Sequence, residues 1–133
     1  MINSYNLRVG NYLQDGEGRW CRVEVINKRS FSAPAINGAF TTHGHTGITL
    51  TKEIASDFGF IITDFGDYWE FERRGFILVQ FKLKVGVKVK DLVPSYILPS
   101  TQPKHIKVPT VHKLQNLYSE IMEEELTYTG RII

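Results

Sequence analysis

Four lysines, Lys82, Lys84, Lys88 and Lys90, stand at even positions in a stretch whose odd positions are Val79, Phe81, Leu83, Val85, Val87 and Val89. On an extended strand that alternation sends the ammonium groups to one face and the apolar groups to the other. Residues two apart on a strand lie about 6.6 to 6.8 Å from each other, near the spacing of successive phosphates. The row therefore suits an anionic backbone or a multiply phosphorylated ligand. A plainer reading is that the lysines guard a solvent-facing strand against pairing with other chains, with Asp64 and Asp67 close to Lys82 and Lys84. Gly86 interrupts the row and marks a candidate bulge.

Arg73 and Arg74 precede Gly75 at a predicted hairpin tip. Guanidinium groups there can clamp a phosphate or carboxylate with two parallel hydrogen bonds, and Tyr68 or Phe40 would supply a ring on which a base stacks. His43-Gly44-His45 offers two imidazoles to a cation, yet no cysteine or carboxylate lies within five residues, so further ligands would have to come from elsewhere. Ordinary loop histidines explain the pair as well, and in a glycine-rich loop it can also donate to an anion. Catalytic chemistry finds little support. Cys21 falls inside a predicted strand, where a buried thiol is inert. No nucleophile elbow, phosphate-binding glycine loop or zinc-protease helix is present. Asp64, Asp67, Glu70 and Glu72 form an acidic cluster, but alternation puts the two glutamates on a surface face. The residues thus define a ligand-binding set (Arg73, Arg74, Lys82, Lys84, Lys88, Lys90, His43, His45, Phe40 and Tyr68) with no catalytic group, metal site or cofactor.

The elements that must position these groups follow from periodicity and turn chemistry. Residues 9–26 read as a hairpin whose strands flank Gln14-Asp15-Gly16-Glu17-Gly18. Residues 30–47 lose all periodicity and read as a long loop, the first place to seek a binding surface. Thr51 caps a helix over 51–58 that Gly59 ends, with Phe60 folding back on Ile54 or Ala55. Strands fill 60–89. A three-residue turn at Arg73-Arg74-Gly75 pairs Glu72 with Phe76, Phe71 with Ile77 and Trp69 with Val79, placing Trp69, Phe71, Ile77, Val79 and Phe81 on one apolar face. Pro94, Pro99, Pro103 and Pro109 punctuate a connection with at most one short strand, around Ile106. Val111, Leu114, Leu117, Tyr118, Ile121 and Met122 define an amphipathic helix over 110–122, and Leu126 to Tyr128 offers a final short strand. The expected architecture is α+β: a twisted, mostly antiparallel sheet of five or six strands packed against the C-terminal helix, with one short central helix, in a single domain over 1–133.

At 133 residues, 42% hydrophobic and 23% charged, the chain can build a core without disulfides, which its lone cysteine could not form internally. No run approaches the length of a membrane span, and the polar start lacks a signal peptide's apolar centre, so the expectation is a cytoplasmic protein without a membrane partner. The net charge of +2 conceals an asymmetry of +2 over 1–47, −5 over 48–72, +8 over 73–113 and −3 over 114–133. The basic stretch shapes a local field that the acidic pieces can cancel on folding.

Three stretches, taken together, carry a resemblance. Leu7-Arg8-Val9-Gly10-Asn11-Tyr12, then Ile48-Thr49-Leu50-Thr51 running to Phe58-Gly59-Phe60, then Val111-His112-Lys113-Leu114-Gln115-Asn116-Leu117-Tyr118 running to Glu124-Glu125-Leu126 resemble a group of small uncharacterised proteins from Bacteroidota genomes and their phages. Members of that group read "LRIGNYV", "PLTEEWLLKFGF" and "VHQLQNLYFALTGEEL" in the same order. The segments 30–47 and 85–107 show no shared pattern. The resemblance implies a phage or prophage setting and supplies no catalytic residues. It points to a non-enzymatic antagonist of host defence that engages an anionic ligand, either a nucleotide signal or a host effector protein. The alternatives are a nucleic-acid-binding module using the basic strand 82–90 and a metal-dependent hydrolase using the histidine pair. Nothing in the sequence fixes the oligomeric state, and a homo-oligomer is compatible with it.

Overall fold

A computed structural model describes residues 4–36, 44–88, 92–98 and 104–130. The protein is α+β, with a five-stranded antiparallel sheet, two smaller sheets, a C-terminal helix and a short central helix. Its chain divides into two compact units: one takes the residues up to Thr49 and returns for Thr110–Glu125, the other takes Leu50–Pro109 and Leu126–Gly130.

In the first unit, β1 (Tyr12–Gln14) pairs antiparallel with β2 (Trp20–Arg22) across the expected turn. Asp15 closes that turn: its carboxylate accepts the Glu17 amide at 2.9 Å, the Arg19 amide at 3.0 Å and the Arg19 Nε at 3.0 Å. Burial would raise its pKa, but these donors outweigh burial and hold the carboxyl at about 2. Two short strands, β3 (Val25–Ile26) and β4 (Phe31–Ser32), form a separate pair. The 30–47 segment, which its composition presents as a long loop, thus carries short strands in its described part. Its described part lies along neighbouring strands, through Ala35 bridged to Cys21 and through β5 (Thr46–Gly47) on the free edge of β1. Extended backbone with few large side chains gives no periodicity to detect, yet its amides and carbonyls complete the sheet edge. Leu7, Leu13, Cys21, Val23, Ala33 and Ala35 make the core.

The C-terminal helix α2 (Val111–Met122) joins this unit through side-chain amides. Gln115, buried, accepts the Tyr12 amide at 2.8 Å and donates to the Gly10 carbonyl at 3.1 Å. Asn116 accepts from Asn11 at 2.8 Å and donates to the Asn6 carbonyl at 3.0 Å, and Arg8 pairs with Glu120 at 2.8 Å. His112 is buried at the start of α2, and burial, helped by Lys113, lowers its pKa to about 4.

In the second unit, Thr51 Oγ1 accepts the Ile54 amide and begins α1 (Lys52–Asp57) as expected. Gly59 at φ +92° ends it, and the Phe60 amide returns to the Ala55 carbonyl. The sheet then runs β6 (Ile61–Asp64), β7 (Tyr68–Arg73), β8 (Phe76–Phe81), β9 (Ser95–Leu98) and β10 (Lys104–Lys107), each strand beside the next. The region of four prolines holds two strands rather than one, with Pro94 directly before β9 and Pro109 after β10, where neither removes a ladder hydrogen bond. Leu126 to Tyr128 forms no strand; Leu126 is buried and the Tyr128 ring packs edge-on against Phe58.

Two corrections concern the basic strand. The turn between β7 and β8 has two residues, Arg74 and Gly75, with φ of 50° and 88°, and Arg73 pairs with Phe76. Positive φ at both central positions is the type I′ geometry, whose twist matches that of the flanking strands. The register therefore slips by one from the expected three-residue turn: Phe71 faces Leu78 and Trp69 faces Gln80. Phe76, Phe71 and Leu78 are buried, whereas Ile77 and Phe81 point the other way and are exposed. Secondly, the strand stops at Phe81 instead of running to Val89. The chain turns at Val85-Gly86, with Gly86 at φ 91° and the Val87 amide on the Lys84 carbonyl, leaving Leu83 and Val85 exposed. Their alternation is that of a projecting segment, not of a core face.

Gly75→Ala forces a Cβ into a left-handed turn position and should cost about 1 kcal/mol or more in urea denaturation, whereas Arg74→Asn, a residue that tolerates the same region, should be neutral or stabilising. Stability should also fall in two steps on acidification. His112 ordinarily titrates at 6.5 and is held neutral to about 4 in the fold, so the unfolded chain takes up the extra proton between those values. That step removes stability on the order of 3 kcal/mol as pH drops from 6.5 to 4. Asp15, held at about 2 against an ordinary 3.8, adds a second loss below pH 4. Melting curves at stepped pH should show Asp15→Asn abolishing the lower step and leaving the upper one.

Candidate binding site

One end of the five-stranded sheet gathers charge around an indole. Trp69 on β7 lies opposite Asp64 of β6 and Gln80 of β8. Helix α1, packed on β6 and β7, brings Lys52 Nζ to 4.6 Å from the Trp69 ring centroid. Just past the end of β8, Lys82 Nζ stands 5.0 Å from the same centroid. An indole face attracts cations through its quadrupole, so the ring holds both ammonium groups at one place. Asp64 supplies the counter-charge: its Oδ1 accepts Lys82 at 2.7 Å and the Gly66 amide at 2.8 Å. The Lys82 hydrogen bond, then the Gly66 amide, lower the Asp64 pKa. Lys84 pairs with Asp67 at 2.9 Å, so both of the expected lysine–aspartate neighbours meet.

Beside this cluster, α1 and Ile62 border an open groove of about 390 Å³ lined by Lys52, Glu53, Ser56 and Asp57. Across the sheet end, Tyr68 stacks on Phe65 at 5.2 Å between centroids and meets Phe81 at 5.9 Å.

The residues proposed from sequence are distributed rather than gathered. Arg73 and Arg74 sit at the opposite end of β7 from Tyr68, about 17 Å away along the strand. Arg73 Nε donates to the Phe58 carbonyl at 3.3 Å. Lys82 and Lys84 lie past the end of β8 at the Trp69 end, while Lys88 is exposed beyond the Val85-Gly86 turn. Lys90, His43 and Phe40 lie outside the described residues. His45 belongs to the first unit, with Nε2 2.9 Å from the Ala33 carbonyl and its ring 5.3 Å from Phe31. Among the described residues no group of three or more His, Cys, Asp or Glu side chains is placed to hold a metal ion. Cys21 is buried, its Sγ 3.5 Å from the Arg19 carbonyl, and burial raises its pKa.

Sequence reasoning missed Lys52 and Trp69. Trp69 resembled an ordinary core residue, and Lys52 stood out only as the first residue after a helix cap. Its meeting with Lys82 depends on the one-residue register of the β7–β8 turn. Comparison with family models, with curated proteins and with solved structures found no match for the chain.

The two aspartates differ in what they hold. Asp67 makes an exposed ion pair with Lys84, so Asp67→Asn should change stability by no more than about 0.5 kcal/mol. Asp64 also fixes the Gly66 amide and the cation beside Trp69. Asp64→Asn should therefore lower the melting temperature more than Asp67→Asn does, and the gap should narrow in high salt.

Proposed function

We propose that the protein is a non-enzymatic binding protein of a phage or prophage, acting in the host cytoplasm as an antagonist of defence, and that it engages an anionic ligand at the Trp69 end of the five-stranded sheet. The observation that carries this reading is the convergence of Lys52 and Lys82 on one indole, each within 5.0 Å of its centroid. A phosphate or carboxylate entering there finds two ammonium groups already ordered by the ring. Asp64 competes for one of them, so the ligand must bring enough charge to displace or share that contact. A nucleotide signal meets this need through its phosphates, and its base can compete with a lysine for the Trp69 ring.

Leu83 and Val85, exposed beside Lys82 and Lys84, favour a second form of the same reading, in which the anionic partner is an acidic surface of a host effector protein. A basic strand over 82–90 tracking nucleic acid has less support, since β8 ends at Phe81 and the chain turns at Gly86 between Lys84 and Lys88.

The test is thermal melting and tryptophan emission with a panel of cyclic and linear nucleotides, in a Trp20→Phe background so that Trp69 is the sole reporter. A bound nucleotide should raise the melting temperature and quench Trp69. Lys52→Ala with Lys82→Ala should weaken that binding about tenfold or more, roughly 1.4 kcal/mol. A panel with no effect, together with an effector whose binding is lost in Leu83→Asp and Val85→Asp, selects the protein partner. Binding that ignores all four substitutions contradicts the site.

A further inference from the structure

The other face of the five-stranded sheet carries a pattern that complements itself. Directly paired residues share a face, so the ladder sets out two rows across four strands. One row reads His105, Ile97, Ile77, Glu72 from β10 to β7, with Ile77 and Ile97 one step beyond the Leu78–Tyr96 pair, and the other reads Lys107, Ser95, Val79, Glu70. Bases thus line β10, carboxylates line β7, and an apolar stripe lies between them on β8 and β9. Ile77, Ile97 and Phe81 are each about two-fifths exposed, and Ile61, further along on β6, is 65% exposed. Shallow hollows run along the stripe, lined by Val79, Phe81, Ser95 and Ile97 and by Ile77, Val79 and Tyr96. Glu72 accepts the Gly75 amide at 2.8 Å, which holds one carboxylate in place on the acidic side.

We propose that this face binds a second copy of the chain, sheet on sheet, about a two-fold axis parallel to the strands and midway between β8 and β9. That operation keeps each row in register and reverses its order. His105 then faces Glu72 of the other copy, Lys107 faces Glu70, Ile97 faces Ile77 and Ser95 faces Val79. Lys107 meets the opposite charge of Glu70, His105 offers a ring N–H to the Glu72 carboxylate, and the apolar stripe covers itself. A two-fold axis across the strands would instead set glutamate on glutamate and base on base, so charge selects one orientation. Sheets packed face to face stand about 10 Å apart with strands nearly aligned, a gap that Lys and Glu side chains reaching from both sides can bridge. The face lies on the opposite side of the sheet from Trp69, and the pairing does not depend on the ligand proposed above.

The test is sedimentation of the full chain across a concentration series, repeated in high salt. The wild type should pass from monomer to dimer, with the dimer weakened by salt. The variant Glu70→Lys with Glu72→Lys should stay monomeric, as should His105→Glu with Lys107→Glu, each weakening self-association about tenfold or more. An equimolar mixture of the two variants should restore a dimer, because each then presents the charge the other lacks. Wild-type chain that stays monomeric at every concentration overturns the proposal without reference to any variant. Dimers that persist in both variants, or variants whose mixture stays monomeric while circular dichroism shows both folded, overturn it as well.

Discussion

The two-residue turn at Arg74 and Gly75 is the constraint on which the second unit rests. Both residues lie at positive φ, and that geometry fixes Arg73 against Phe76. From this one pairing follows the whole register of β7 and β8, and with it the assignment of every side chain to a face. Phe71, Phe76 and Leu78 go to the buried side, together with Trp69. Ile77, Val79 and Phe81 go to the side where Glu70 and Glu72 stand. Backbone torsion thus sets register, register sets face, and face sets where charge falls. A slip of one residue would exchange the two faces of β8 and remove both the Lys82–Trp69 contact and the row pattern opposite it.

The first unit is held by a different device. Gln115 and Asn116 spend their amide groups on the backbone and side chains of Gly10, Asn11, Tyr12 and Asn6. Each of these polar groups would be costly to bury alone, and each is satisfied by another. Residues 6–12 and 115–116 thus meet each other, and the Val111 amide donates to the Ile48 carbonyl. These stretches form a frame of hydrogen bonds between segments far apart in sequence. The same device explains why Gln115 stands among the buried residues of this amphipathic helix.

Local chemistry made much of this legible. The Asp15 to Arg19 turn, the Thr51 cap, the Gly59 stop and the apolar spacing of α2 all rest on interactions between residues close in sequence, and each stands where its residue types placed it. The pairing of Asp64 with Lys82 and of Asp67 with Lys84 was also readable, since both sides flank neighbouring strands. What escaped was set by register or by distant backbone. Nothing in the residue type of Arg74 marks the φ of 50° that it adopts, whereas Gly75 suits a left-handed position by its type. The valines after Phe81 alternate as a strand does, but Gly86 turns the chain before they can pair. Lys52 reached Trp69 from another element, a proximity no spacing in the sequence announces.

Thiol labelling of adjacent positions on β8 tests the register most directly. With Cys21 replaced by alanine, cysteines are introduced singly at 77 and at 78 and their modification by a water-soluble reagent is timed under native conditions, at concentrations where the chain is monomeric. The register described here predicts rapid modification at 77 and protection at 78, released only on unfolding. Protection at 77 with rapid modification at 78 would mean that the apolar face of the sheet is the other one, and the account of both surfaces would fall with it.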